Sequence, residues 1–107
     1  VRDCIFLLAD LGMVAAFKGF FSRDHFYYAL GTAPFHVDTR QDIICDSAGN
    51  DPGVYTRAHE LLRAYQSSHR YAVIVLDNAW EGSPGVAKIR ADIDRRSVTS
   101  FQRKWNW

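Results

Sequence analysis

Cys4-Ile5-Phe6-Leu7-Leu8-Ala9-Asp10 is the stretch on which the fold turns. Its apolar residues run without a polar interruption and stop at a carboxylate. A strand with water on one face alternates apolar and polar side chains. A strand covered on both faces does not, and continuous runs of this length suit a central parallel strand. Tyr71-Ala72-Val73-Ile74-Val75-Leu76-Asp77 repeats the pattern, again ending in an acid, and Asp42-Ile43-Ile44-Cys45-Asp46 is a shorter version.

The segments between these runs have helical spacing. Met13, Phe17, Phe20 and Phe21 recur at i, i+4, i+7 and i+8, one apolar face of a helix that ends near Ser22. Asp24 is placed to cap a short second helix carrying Phe26, Tyr27 and Leu30, with Gly31 closing it. Residues 32–41 read as a loop in which Phe35 and Val37 alternate with polar neighbours and are expected to pair briefly with the sheet. Asp51-Pro52-Gly53 opens the clearest helix, with Asp51 as cap and Pro52 at the first helical position. Val54, Ala58, Leu61, Leu62 and Tyr65 form its stripe, and the helix is expected to end around Ser67 to His69. Ser83-Pro84 repeats the cap-then-proline start, and Val86, Ile89 and Ile93 mark the last helix.

Strand, helix, strand, helix, strand, helix is the order of a parallel sheet with right-handed crossovers. The expected fold class is a small three-layer α/β domain over residues 1–96, with a mainly parallel sheet of three to four strands. Residues 97–107 are read as an aromatic and basic tail. The 107 residues are 48% hydrophobic and 14% aromatic, enough for a core without disulfides. Cys4 and Cys45 both fall in apolar runs and are read as buried thiols in a reducing compartment. Their spacing suits no zinc motif. Asp3 and Asp10 interrupt any signal-peptide pattern, and no stretch is long enough to span a bilayer, so the chain is read as cytoplasmic with no membrane partner.

Thirteen Lys and Arg stand against twelve Asp and Glu, a balance that does not announce nucleic acid and does not exclude it. The chemistry is carried by the acids. Ligands of open parallel sheets bind at the carboxyl ends of the strands. Asp10, Asp46 and Asp77 end the three strands, and Asp51 and Glu81 lie in the following loops. Carboxylates gathered on one edge repel unless a cation holds them. Hard oxygen ligands favour Mg2+ or Mn2+, completed by water and a substrate phosphate. The pattern therefore points to metal-dependent phosphoryl transfer or phosphate binding, with Asp10 and Asp77 as its centre. The competing role for any one of these acids is to cap the next helix, and Asp46 and Asp51 are read as structural on that ground.

Other candidates carry less. His59 lies on a helix face, where packing or exposure is the ordinary role. His69 precedes a strand and is read as part of the turn. Ser83 is not in a nucleophile elbow and has no plausible triad. The glycines form neither a Walker loop nor a dinucleotide fingerprint. Phe17, Phe20 and Phe21 are read as core, and His25-Phe26-Tyr27-Tyr28 as packing over the sheet rather than as a platform for bases. The basic residues Arg95, Arg96, Arg103 and Lys104 are candidate contacts for nucleic acid. Phe101, Trp105 and Trp107 are candidate contacts for a second copy, a partner protein or a strand edge of the same domain.

Phe6 to Met13, Ala16 to Arg23, Asp51-Pro52-Gly53 through His59 to Arg63, and Tyr71 to Asp77 with Trp80-Glu81-Gly82-Ser83-Pro84 together resemble small bacterial Toprim-like proteins. Some of these are encoded near phage-defence systems. The resemblance implies a metal-binding module that acts on nucleic-acid phosphodiesters. It implies Asp10 where the family has a glutamate after the first strand, and Asp77 as the first aspartate of a spaced pair. The second aspartate would fall at Ala79, which has no ligand, and Glu81 is the substitute the loop offers. The metal set implied is Asp10, Asp77 and Glu81, with Asp10 and Asp77 catalytic. Two other classes stand beside it. One is a non-catalytic assembly protein with a degenerate site, acting with a partner in a defence complex through the aromatic tail. The other is a receiver-like regulatory domain, which would need a lysine after a later strand.

Overall fold

A computed structural model of the chain describes residues 1–46 and 49–96. Three parallel strands form one sheet in the order β2-β1-β3, with β1 at Arg2–Leu8, β2 at Ile43–Cys45 and β3 at His69–Val75. Among the described residues four α-helices accompany them: α1 (Leu11–Phe21), α2 (Phe26–Leu30), α3 (Asp51–Leu62) and α4 (Val86–Arg96). A single 3-10 turn, Arg63–Tyr65, follows α3. The sheet is all parallel, with three strands among the described residues.

β1 is central because its side chains are apolar in both directions. Ile5, Leu7 and Ala9 point into one core with Val54, Ala58 and Leu62 of α3 and Ile89 and Ile93 of α4. Phe6 and Leu8 point into the other, with Phe21 of α1, Phe26 of α2, Val37 and Ile43. The chain leaves β1 for one side of the sheet and then crosses to the other. With one crossover handedness the intervening helices must cover opposite faces, and they do. Phe17, Phe20 and Phe21 are core as expected: the Phe6 and Phe21 rings lie 4.9 Å apart, and Phe21 meets Phe26 edge-on at 4.8 Å.

Several local expectations are corrected. Asn50, not Asp51, caps α3, its Oδ1 accepting from Gly53 N at 2.7 Å, and Asp51 is the first helical residue. The α-helix stops at Leu62, short of Ser67, because the backbone tightens to 3-10 geometry. His25, in the left-handed region at φ 58°, precedes α2 in place of Asp24, while Gly31 at φ 67° closes it as expected. Phe35 and Val37 join no strand, and both pack into the α1 and α2 core. α4 begins two residues after Pro84, and Val86 of its stripe is 54% exposed. Tyr28, 75% exposed, stacks on His25 at 5.3 Å instead of packing over the sheet.

Cys4 and Cys45 are free and half-buried. Burial, then the nearby Asp3 and Asp42, pushes the Cys4 thiol up to about 11, and burial likewise raises Cys45. Among the described residues no helix is long and apolar enough to cross a membrane. The aromatic and basic tail, with Phe101, Arg103, Lys104, Trp105 and Trp107, lies outside the described residues.

Candidate functional site at the carboxyl edge

The register of the sheet fixes where the acids stand. Leu8 of β1 pairs with Val75 of β3, so Asp10 and Asp77 occupy equivalent positions two residues beyond adjacent parallel strands. Leu8 also pairs with Cys45 of β2, which sets Asp46 on the other flank of β1. All three acids thus lie at the carboxyl edge.

Asp10 is the cap of α1. Its extended backbone (φ −144°, ψ 167°) turns the side chain back, and Oδ1 accepts from Met13 N at 2.8 Å. Asp77 is exposed, and its Oδ1 accepts from Ala79 N at 2.9 Å. Its own N–H donates to Asp51 Oδ1 at 2.7 Å, which ties the end of β3 to the start of α3. Asp51 therefore serves the scaffold, through this bond and not as the expected cap. Ala79 contributes only its main chain. Among the described residues, no hydrogen bond or ion pair occupies Oδ2 of Asp10 or Asp77.

Asp46 is structural in a different way. Its carboxylate is wholly buried, ion-paired to Arg57 at 3.1 Å, and neither oxygen is met at a hydrogen-bonding angle. Arg57 and Gly53 lie one helical turn apart, so Asp46 lies along the first turns of α3. A Cβ at Gly53 would meet Asp46 Oδ2 at 2.2 Å and Asn50 Oδ1 at 2.8 Å. Gly53→Ala is accordingly expected to destabilise by about 1–3 kcal/mol. The figure is net of the ~1 kcal/mol a helix gains from replacing glycine by alanine. Urea denaturation checks the sign, and a net gain would mean that the buried carboxylate moves aside freely.

Glu81 is exposed on the turn from Trp80 to Ser83, closed by a Ser83 N to Trp80 O bond of 3.0 Å. Trp80 anchors that turn against the α3 and α4 core, with its ring 6.0 Å from Tyr55. Among the described residues no three His, Cys, Asp or Glu side chains are grouped to hold a metal ion. Asp10, Asp77 and Glu81 share an edge without forming such a group.

α4 brings basic residues toward the same end. Buried Asp92 accepts from Tyr55 Oη and pairs with Lys88 at 3.1 Å and Arg95 at 3.0 Å. The Tyr55 hydroxyl, then Lys88, hold the Asp92 carboxyl below its ordinary value. Arg96 Nη1 donates to Tyr55 O at 3.1 Å, and its guanidinium lies 5.2 Å from the Tyr55 ring centre. Tyr55 belongs to the first turns of α3, which start at the carboxyl edge. The basic end of α4 is therefore anchored in the same half of the molecule as Asp10 and Asp77. Arg95 keeps its side chain 70% exposed, whereas Arg96 is engaged with Tyr55.

A second constellation lies at the opposite, amino edge, and it corrects the reading of His69 as part of a turn. His69 is the first residue of β3 and is 5% exposed. Its Nε2 lies 2.8 Å from Oδ1 of Asp42, itself fully buried. Arg2 at the start of β1 forks onto both Asp42 oxygens at 2.5 and 2.6 Å, and Asp38 N donates to Oδ2 at 2.7 Å. Burial would raise the Asp42 carboxyl, but Arg2, the Asp38 N–H and His69 outweigh it and hold it down to about 2. The local sequence around each residue is unremarkable. The usable signal is that Arg2 and His69 open strands and Asp42 immediately precedes one, with β1 lying between the other two.

No family model matches this chain, and no curated protein or solved structure matches it.

Proposed function

We propose that the carboxyl edge is a divalent-cation-assisted phosphate site acting on nucleic-acid phosphodiesters, as the Toprim resemblance implies. The observation that carries it is the equivalent placement of Asp10 and Asp77 at the ends of adjacent parallel strands. Neighbouring strands stand about 4.8 Å apart, close enough for two carboxylates to share one cation. Magnesium commonly takes only one or two carboxylates from a protein and fills its octahedron with water and substrate phosphate. The residues fit that demand: each aspartate spends Oδ1 on a backbone N–H and keeps Oδ2 available among the described residues. Asp10 and Asp77 would hold the ion, with Glu81 approaching from its exposed turn. The cation would orient a phosphate and stabilise charge on its oxygens. Exposed Arg95 supplies a phosphate contact from the same half of the molecule.

Asp77→Asn keeps the shape and removes the charge. It is expected to weaken Mn2+ binding by about tenfold or more, because an anionic ligand is gone. Titration of the protein with Mn2+, followed by the electron paramagnetic resonance of the free ion, measures this. Any metal-dependent cleavage of nucleic acid should fall with it. Wild-type affinity in the variant, or undiminished cleavage by it, rejects the site.

A further inference from the structure

We propose that Ser68, at the amino edge and apart from the carboxylate pair, is an activated nucleophile that takes acyl groups from small activated esters. Three contacts carry the proposal. Ser68 Oγ lies 2.8 Å from His69 Nδ1. His69 Nε2 lies 2.8 Å from Asp42 Oδ1. Asp42 is buried and held as the anion by the fork from Arg2.

The contact to Asp42 selects one tautomer of the neutral ring. An ionised carboxylate only accepts, so the neutral imidazole carries its proton on Nε2 and donates it to Asp42. Nδ1 is then the acceptor, and it faces the Ser68 hydroxyl. A nucleophile bonded to a base, with the base oriented by a third group, is the arrangement by which hydroxyls are activated. It is recognised by geometry and role, not by position in the chain. Burial keeps His69 fixed between its partners while Ser68 is exposed, so a substrate meets the hydroxyl from solvent. The other acceptor for that hydroxyl is Tyr65 O at 3.3 Å, a longer contact than the one to the imidazole.

The step balances without a cofactor. Ser68 Oγ bonds the acyl carbon as its proton passes to His69 Nδ1. The ester C–O bond breaks, and the leaving alkoxide takes that proton. Water then attacks the acyl-serine in the same way, releasing the acid and restoring the hydroxyl. Ser68 and His69 touch the reacting atoms, whereas Asp42 is a positioning residue that acts through the imidazole. Ser67, also exposed and one residue earlier, faces no such base among the described residues and is the internal control.

The test treats the full 107-residue chain with a small fluorophosphonate and maps the adducts by peptide mass spectrometry. The probe loses fluoride to the attacking hydroxyl and leaves a stable phosphonyl-serine. Ser68 is expected to label at least about a hundredfold faster than Ser67, the lower end of general-base activation. His69→Gln keeps a donor toward Asp42 but offers no base, and should bring Ser68 to the Ser67 rate while circular dichroism stays unchanged. Turnover of p-nitrophenyl acetate should be lost in Ser68→Ala. Equal labelling of the two serines in the wild type overturns the proposal without reliance on any variant. A well-folded His69→Gln that labels at the wild-type rate also overturns it.

Discussion

Asp42→Ala is expected to cost about 3–5 kcal/mol, the range for stripping one partner from a buried charge network. One carboxylate ties together the amino ends of all three strands. Arg2 opens β1, His69 opens β3, and Asp42 immediately precedes β2. Removing it leaves an imidazole with 4% side-chain exposure facing nothing on Nε2, and a guanidinium with 29% side-chain exposure without its fork. It also orphans the Asp38 N–H, which donates to Asp42 Oδ2. Arg2 can recover water at its exposed face, and His69 cannot. Asp42→Asn keeps the shape and one acceptor, and should lose less. Chemical denaturation near neutral pH measures both, and losses below about 1 kcal/mol for both would mean that the strand ends are held by other contacts.

The same carboxylate sets an acid limit. Its pKa falls from an ordinary 3.8 to about 2 in the folded chain. Between those values the unfolded chain binds more protons than the native one, so stability falls as pH falls. The contribution is complete above about pH 4 and disappears through about pH 2, amounting to roughly 2 kcal/mol. Subtracting the pH–stability curve of Asp42→Asn from that of the wild type should isolate this step.

Contrasting the two edges shows what the sequence could disclose. Asp10 and Asp77 were legible because each ends an apolar run, and a run states both the burial of a strand and the point where it meets solvent. Their partnership followed from topology alone, since parallel strands put like ends together. The Arg2–Asp42–His69 network was not legible in that way. Its members lie 40 and 27 positions apart, and none interrupts a pattern. A polar residue just ahead of an apolar run looks like loop, and only the β2-β1-β3 order makes three such residues neighbours. The cap of α3 was misplaced by one residue for a related reason. Asn50 and Asp51 are both good caps, and the choice is settled by Asp51 turning its carboxylate to Asp77 N across the sheet edge. From its position Asp46 looks like a cap for the next helix, but it is a buried clamp on Gly53 and Arg57, which depends on a close approach that composition does not reveal.

Leu7→Ala and Leu61→Ala should separate, although both leucines lie in runs that look equally buried. Leu7 is fully buried at the centre of β1, among the side chains of α3 and α4. Its loss is expected to cost about 3–5 kcal/mol, because strands on both sides and two helices above restrain collapse of the cavity. Leu61 lies on the flank of the α3 stripe and is only half-buried, while Val54, Ala58 and Leu62 carry the contact with the sheet. A reading by helical spacing weights Leu61 and Leu62 alike, yet successive residues on a helix point about 100° apart, and only one can face β1 squarely. Leu61→Ala should therefore cost about 1–2 kcal/mol, mostly the lost transfer of partly exposed methyl groups. Urea denaturation with an unchanged m value for both variants supplies the comparison. Equal losses would place Leu61 in the centre of the core and turn α3 about its axis relative to the sheet. A small loss at Leu7 would deny that β1 is covered on both faces, the feature from which the parallel fold was first read.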